Sequence, residues 1–201
     1  MLDLGCGDGR LTNILTEALE STGVAVEVVG CDLSSTALSR AKSQCIPGCL
    51  TFARAAATQL PFEDGTFDGV VSFGYASVAS YYTPTIQNEL FRVIKYGGWL
   101  AVDFVNHLSV WYLLLRPHWV ARWMTRRLGF VKPEYYFSTF GVKNYFRRFG
   151  FKLLHVAFTN CFLPVKSVAG PERFVLWDRI VRKMKLERLF GRIFMALFRR
   201  E

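Results

Sequence analysis

Three glycines at alternate positions, Gly5, Gly7 and Gly9, follow the short run Leu2-Asp3-Leu4 and precede Arg10-Leu11-Thr12-Asn13-Ile14-Leu15. Glycine lacks a Cβ and tolerates positive φ, so a strand can turn sharply into a helix here while its backbone passes close to a bound group. The spacing predicts a strand–turn–helix unit at the tip of a parallel sheet. A second apolar run, Val24 to Cys31, ends in Asp32. That places a carboxylate at the neighbouring strand tip, where it suits the hydroxyls of a ribose.

The turn also separates two kinds of nucleotide ligand. A dinucleotide fingerprint, G-x-G-x-x-G, needs its third glycine for close helix–strand packing. Counted from Gly5, that position is Arg10, bulky and charged. Asp3, two residues before the first glycine, would repel a pyrophosphate but could hold an ammonium group. S-adenosyl-L-methionine carries both a ribose and an α-amino acid end. With these residues the chain resembles the class I S-adenosylmethionine-dependent methyltransferases.

Two further segments carry the resemblance. Gln59-Leu60-Pro61-Phe62-Glu63-Asp64-Gly65-Thr66-Phe67-Asp68-Gly69-Val70-Val71-Ser72 is similar to the "LPF.D.sFD.V.s" segment of the ubiquinone/menaquinone-biosynthesis-type branch. Asn88-Glu89-Leu90-Phe91-Arg92-Val93-Ile94-Lys95-Tyr96-Gly97-Gly98 is similar to its "E..RvLkPGG" helix end. The resemblance implies that Asp3 anchors the methionine amino group while Gly5, Cys6, Gly7 and Gly9 line its path. It implies that Asp32 binds the ribose with Leu33 beside it in the cofactor site, and that Ser72 and Phe73 border the sulfonium. The family usually places an Asp four residues before the Leu-Pro-Phe; here Ala56 stands there, followed by Ala57. Backbone and shape must then read the adenine, at a cost of about 0.5–1.5 kcal/mol for one lost hydrogen bond. Tyr96 replaces a proline at a helix end that Gly97 can close.

At 201 residues with 51% hydrophobic content, the chain can bury a sizeable core and is not a disordered protein. The best apolar run, Val110 to Leu115, is stopped by Arg116 and Pro117, far short of the ~20 residues of a membrane span. No secretory leader is expected, because Asp3 and Asp8 interrupt the N-terminus. Cys6, Cys31, Cys45, Cys49 and Cys161 form an odd set without ligand-like pairing, so reduced thiols in a cytoplasmic protein are expected and no metal site. The resemblance implies N-terminal helices that pack over the cofactor. Met1 falls inside the expected first strand, so the chain is expected to be truncated there.

The alternation of apolar and helical runs predicts an α/β fold. Strands are expected at Met1 to Leu4, Val24 to Asp32, Leu50 to Arg54, Gly69 to Phe73, Trp99 to Val105 and Phe151 to Phe158. The first helix, about Gly9 to Ser21, should present Leu11, Ile14, Leu15, Ala18 and Leu19 on one face. The second starts at Ser34 or Ser35, and Thr83-Pro84 opens another. Thr139 to Phe149 is read as a short helix closed by Gly150, and Glu172 to about Leu189 as a longer one. Ile193 to Phe198 suits either an amphipathic helix or the antiparallel seventh strand that the resemblance implies; strand is the reading taken. The expected architecture is a Rossmann-like, doubly wound seven-stranded sheet with an antiparallel final strand and a helical insertion after strand five. It forms a single domain, residues 1–201, made of a cofactor-binding half (1–105), an insertion or lid (106–137) and a C-terminal half (138–201).

Charge is divided along the chain. Residues 1–105 hold 6 Lys and Arg against 11 Asp and Glu, whereas residues 106–201 hold 19 against 5, and 20 of the 31 aromatic residues lie after position 105. A basic, aromatic second half fits a lid over a hydrophobic small-molecule substrate, with peripheral contact to an anionic membrane surface as the next reading. Nucleic acid is the weakest reading, since no recognisable motif accompanies the arginines. The implied activity is methyl transfer to an apolar or lipid-like acceptor. The alternative is a catalytically silent relative that binds a membrane or protein partner through Trp111, Trp119, Trp123 and their neighbouring arginines. Tyr75, Tyr81, Tyr82, Asp103 and His107 are placed past the carboxyl ends of strands four and five. Of these, His107 is the candidate base, because imidazole exchanges protons near neutral pH; the competing reading is a polar residue that opens the insertion. His118 and His155 have no motif support.

Overall fold

The computed structural model describes residues 1–23, 25–44, 50–73, 83–106, 109–110, 138–159, 179, 181–191 and 193–201. In chain order the elements are β1 (Leu2–Leu4), α1 (Arg10–Glu20), β2 (Val28–Asp32), α2 (Ser35–Ser43), β3 (Leu50–Arg54), β4 (Phe67–Ser72) and α3 (Pro84–Val93). They continue with β5 (Ile94–Val105), α4 (Thr139–Arg147), β6 (Phe151–Thr159), α5 (Glu187–Phe190) and β7 (Ile193–Arg200). The strands form one sheet in the order β3-β2-β1-β4-β5-β7-β6. The first five run parallel, and β7 lies antiparallel between β5 and β6. Among the described residues no helix is long and apolar enough to cross a membrane.

The short apolar run at the C-terminus is a strand because it fills a slot between two others. Alternate residues Phe194, Ala196 and Phe198 are fully or almost fully buried, as the two-residue period of a strand requires. They meet Leu100, Val102 and Phe104 of β5 and Phe146 of α4, all inaccessible to solvent. The Phe146 and Phe198 rings stack with centroids 4.5 Å apart. Asn106 fixes the entry to β7, donating from Nδ2 to the carbonyls of Arg188 (3.0 Å) and Gly191 (2.8 Å).

Several boundaries differ from the sequence reading, each for a local reason. β2 begins at Val28 and not at Val24, which is outside the described residues; a strand extends only as far as its partner, and β1 pairs Leu2 with Val29. β4 begins earlier, at Phe67, and Phe73 lies in the turn beyond it. α3 ends at Val93, so Gly97 does not cap it. Ile94 to Gly98 instead joins β5, with a register shift opposite Phe67–Gly69 and Gly97 at φ 76°. Of the helix expected over Glu172 to Leu189, residues 172–178 and 180 lie outside the described residues, and the described part is interrupted. Lys185 adopts φ 57°, while the amides of Lys185 and Leu186 donate to the carbonyls of Arg182 and Val181, the pattern that closes a helix.

The largest difference is the rotation of α1. Leu11 (54% exposed) and Ile14 (61%) point to solvent, and Thr12 and Thr16 are fully buried. The inward stripe is Thr12, Leu15, Thr16 and Leu19, which keeps helical spacing but is turned one residue from the all-apolar stripe. The cause is a buried polar contact with Asp3, described below.

Two sequence motifs prove to be halves of one clamp. The Leu60 amide donates to Glu89 Oε2 at 2.7 Å. Arg92 grips both Glu89 oxygens at 2.8 Å, the carbonyls of Phe62 (2.6 Å) and Leu60 (3.0 Å), and Asp64 Oδ1 at 2.9 Å. A carbonyl on α3 returns the tie, since the Gly65 amide donates to Arg92 O at 2.8 Å. The planar guanidinium fork suits this many acceptors in a way that an ammonium cannot. Arg92→Met is expected to lower the unfolding free energy by about 2–3 kcal/mol, the loss of charge-assisted bonds with their acceptors left unmet. Arg92→Lys should recover less than half of that; urea denaturation followed by circular dichroism measures both.

Candidate functional site

The carboxyl ends of β1, β2 and β4 converge on the glycine turn. Amides of Gly5 and Cys6 both donate to the Cys31 carbonyl, at 2.7 and 3.0 Å, which ties the turn to the end of β2. All three glycines have positive φ: 79° at Gly5, 57° at Gly7 and 79° at Gly9. Two of them have distinct further reasons to be glycine. A Cβ on Gly9 would sit 3.0 Å from Ala41 Cβ and 3.1 Å from the Phe52 ring, so this residue lets α1 approach α2 and β3. A Cβ on Gly7 would meet no atom within 4 Å. Gly7 therefore leaves open space, the arrangement a backbone needs if a ligand is to lie against it.

One carboxylate, Asp32, is tied to Gly7, and a second, Asp3, lies close enough to Asp32 for their charges to interact. Asp32 Oδ2 accepts from the Gly7 amide at 2.9 Å and Oδ1 from the Ser34 amide at 2.8 Å. Each oxygen keeps further acceptor capacity. Leu33, next in sequence, exposes 63% of its surface, an apolar plate beside the acid. The Ala55 amide donates to the Asp32 carbonyl at 3.2 Å, and Ala56 pairs with Gln59 in a short bridge. Ala56 and Ala57, both half-buried, thus lie on the Asp32 side of the turn, held by the clamp that starts at Leu60.

Asp3 is 2% exposed and accepts a 2.6 Å hydrogen bond from Thr12 Oγ1. Burial pushes its carboxyl up to about 6; the Thr12 bond opposes that rise and the neighbouring Asp32 charge adds to it. A carboxyl raised from 3.8 to about 6 holds its proton more tightly in the folded protein. The ligand-free chain therefore loses stability as pH rises through that interval, and a cationic partner for Asp3 would return it. Burial likewise pushes the thiols of Cys6 and Cys31 up to about 12 and about 11, so both are neutral at physiological pH.

Ser72, the last residue of β4, is 1% exposed, and its hydroxyl donates to the Leu4 carbonyl at 2.7 Å. It ties β4 to β1. Phe73 follows, half-buried. Asp103 is half-buried on β5. His107, Tyr75, Tyr81 and Tyr82 lie outside the described residues, as do Trp111, Trp119 and Trp123. Sequence reasoning missed Thr12. The signal was a threonine pair at i and i+4 within a helix otherwise read as apolar on that face.

A cavity of about 920 Å³ lies elsewhere, at the amino ends of the strands, with Met1, Val29, Phe67, Gly69, Lys95 and Trp99 among its lining. Open α/β sheets bind ligands at the carboxyl ends. The glycine turn and both acids are at that opposite edge.

Residues 1–98 match the family model described as "Methyltransferase domain". Demethylmenaquinone methyltransferase of Lactococcus lactis is 38% identical over 110 residues, 53% of this chain and 42% of the relative. The chloroplastic 2-phytyl-1,4-beta-naphthoquinone methyltransferase of Arabidopsis thaliana is 34% identical over 112 residues, 52% and 41% of the two chains. The matched stretch thus spans about two fifths of the curated relatives' length. A SAM-dependent methyltransferase structure from Methanosarcina mazei superposes with a TM-score of 0.66 at 20% identity, covering 99% of this chain and 91% of that one. Residues 1–98 thus match a methyltransferase domain, and the chain has the fold of the class I S-adenosylmethionine-dependent methyltransferases.

Proposed function

We propose that this protein transfers a methyl group from S-adenosylmethionine to an apolar small molecule of quinone-like or lipid-like character. The observation that carries the cofactor half of the reading is the open space over Gly7, whose amide is bonded to Asp32, with the buried carboxyl of Asp3 on the adjoining strand. The residues fit the group. Asp3 would meet the ammonium, the amides and Cα hydrogens of Gly5 to Gly9 would line the amino-acid arm, and Asp32 would accept from the ribose hydroxyls. Leu33 and the Ala56–Ala57 backbone would flank the adenine. When bound, S-adenosylmethionine supplies an electrophilic methyl group. Displacement at that carbon needs mainly proximity and alignment from the protein.

Support for the acceptor comes from the names of the relatives, two of which are quinone methyltransferases, and from the aromatic, basic composition after residue 105. His107 remains the proposed base for a hydroxyl acceptor. An enol or phenolate carbon would need none. Incubation with methyl-labelled S-adenosylmethionine and a panel of demethylated naphthoquinols, phenols and lipids tests the proposal. Label should enter a quinol-type acceptor. Tight cofactor binding with no transfer to any acceptor would instead support the silent relative, and binding to anionic liposomes would then favour its membrane form.

Two further outcomes concern the cofactor residues. Asp32→Ala should weaken S-adenosylhomocysteine binding by about 10- to 100-fold in calorimetry, the value of charge-assisted bonds to two hydroxyls; unchanged affinity would contradict the ribose role. Ionised Asp3 is the form that attracts an ammonium. Affinity should therefore fall as pH drops through about 6, and Asp3→Asn should bind weakly with no inflection there.

A further inference from the structure

We propose that Thr12 is a positioning residue of the cofactor site: its hydroxyl occupies one oxygen of Asp3 and holds the carboxylate ready for the ligand's ammonium group. The inference rests on the role given to Asp3 above and adds to it a residue on α1 that belongs to none of the sequence motifs.

Thr12 Oγ1 lies 2.6 Å from Asp3 Oδ2, and both side chains are buried, Thr12 completely. Among the described residues Thr12 is the one hydrogen-bond donor to that carboxylate, and no cation is paired with it. Charged or titratable groups reach Asp3 from each neighbouring element: Asp32 and Cys31 from β2, and Cys6 from the turn. All are acidic or neutral. Asp32 is itself engaged by the amides of Gly7 and Ser34 and offers Asp3 no donor. A buried carboxylate with one hydrogen bond is underserved. It is the state expected of a group awaiting a second, cationic partner.

Thr12 is in turn held in place. Its carbonyl accepts from Thr16 Oγ1 at 2.8 Å, one turn along the helix, and Thr16 is also inaccessible to solvent. Valine would fill the same volume at position 12 and suit an apolar face better. The hydroxyl is what turns α1 so that Leu11 and Ile14 face water.

The test compares wild type, Thr12→Val and Thr12→Ser by two readouts. The first needs no ligand: the Asp3 carboxyl titration in the free protein, followed by ¹³C NMR. Thr12→Val should move its midpoint upward by about one pH unit, the worth of one hydrogen bond to the charged form, and Thr12→Ser should leave it near wild type. The second is S-adenosylhomocysteine affinity against pH. Thr12→Val should bind about fivefold more weakly than wild type at pH 6 and converge with it by pH 8.5, with Thr12→Ser tracking wild type throughout. An unmoved midpoint, or a loss equal at every pH, would overturn the proposal and leave Thr12 a packing residue. If wild type binds no S-adenosylhomocysteine, the cofactor reading of Asp3 fails separately, whatever the titration shows.

Discussion

The hydrogen bond between Thr12 and Asp3 joins the first strand to the first helix through two buried side chains. Burying a carboxylate is expensive, and it is tolerated at strand tips that hold a charged ligand. Here it turns the Thr12 face of α1 inward; at the start of the same helix Gly9 packs against Ala41 and Phe52, and the space over Gly7 is open. The neighbouring strands are secured to the same point from both sides. Cys31 accepts two amides of the turn, and Ser72 reaches across to Leu4. The candidate site thus stands on three adjacent strands, β2, β1 and β4, the rigid support that alignment of a donor and acceptor requires.

A second, independent device holds the far wall. The Glu89–Arg92 pair connects α3 to the backbone at Leu60, Phe62 and Gly65, and that segment begins three residues after Ala57. The clamp thereby fixes the backbone next to Ala56 and Ala57, whose methyl side chains offer no hydrogen bond of their own.

Much of this was legible in the chain. Continuous apolar runs and turn signals locate the first six strands, since buried strands read as short apolar segments bounded by turn residues. The ambiguous run Ile193 to Phe198 was resolved only by resemblance, because a short apolar segment carries no period of its own; pairing with Trp99 to Val105 makes it a strand. What the pattern could not show was the phase of α1. Counting apolar residues selected Leu11, Ile14 and Ala18, whereas a polar contact nine residues away in sequence chose Thr12 and Thr16. Gly97 was misread for a similar reason. A positive φ is needed both to cap a helix and to form a bulge, and only the partner strand decides between them.

The account stands on the cofactor lying at the carboxyl edge of β1 and β2. Backbone amide NMR on adding S-adenosylhomocysteine tests this most directly. The largest perturbations should fall on Gly5 to Gly9, Asp32 to Ser34 and Ala55 to Ala57. Perturbations concentrated on Val26 to Val29, Asp68, Gly69 and Trp99, around the cavity at the amino edge, would contradict it.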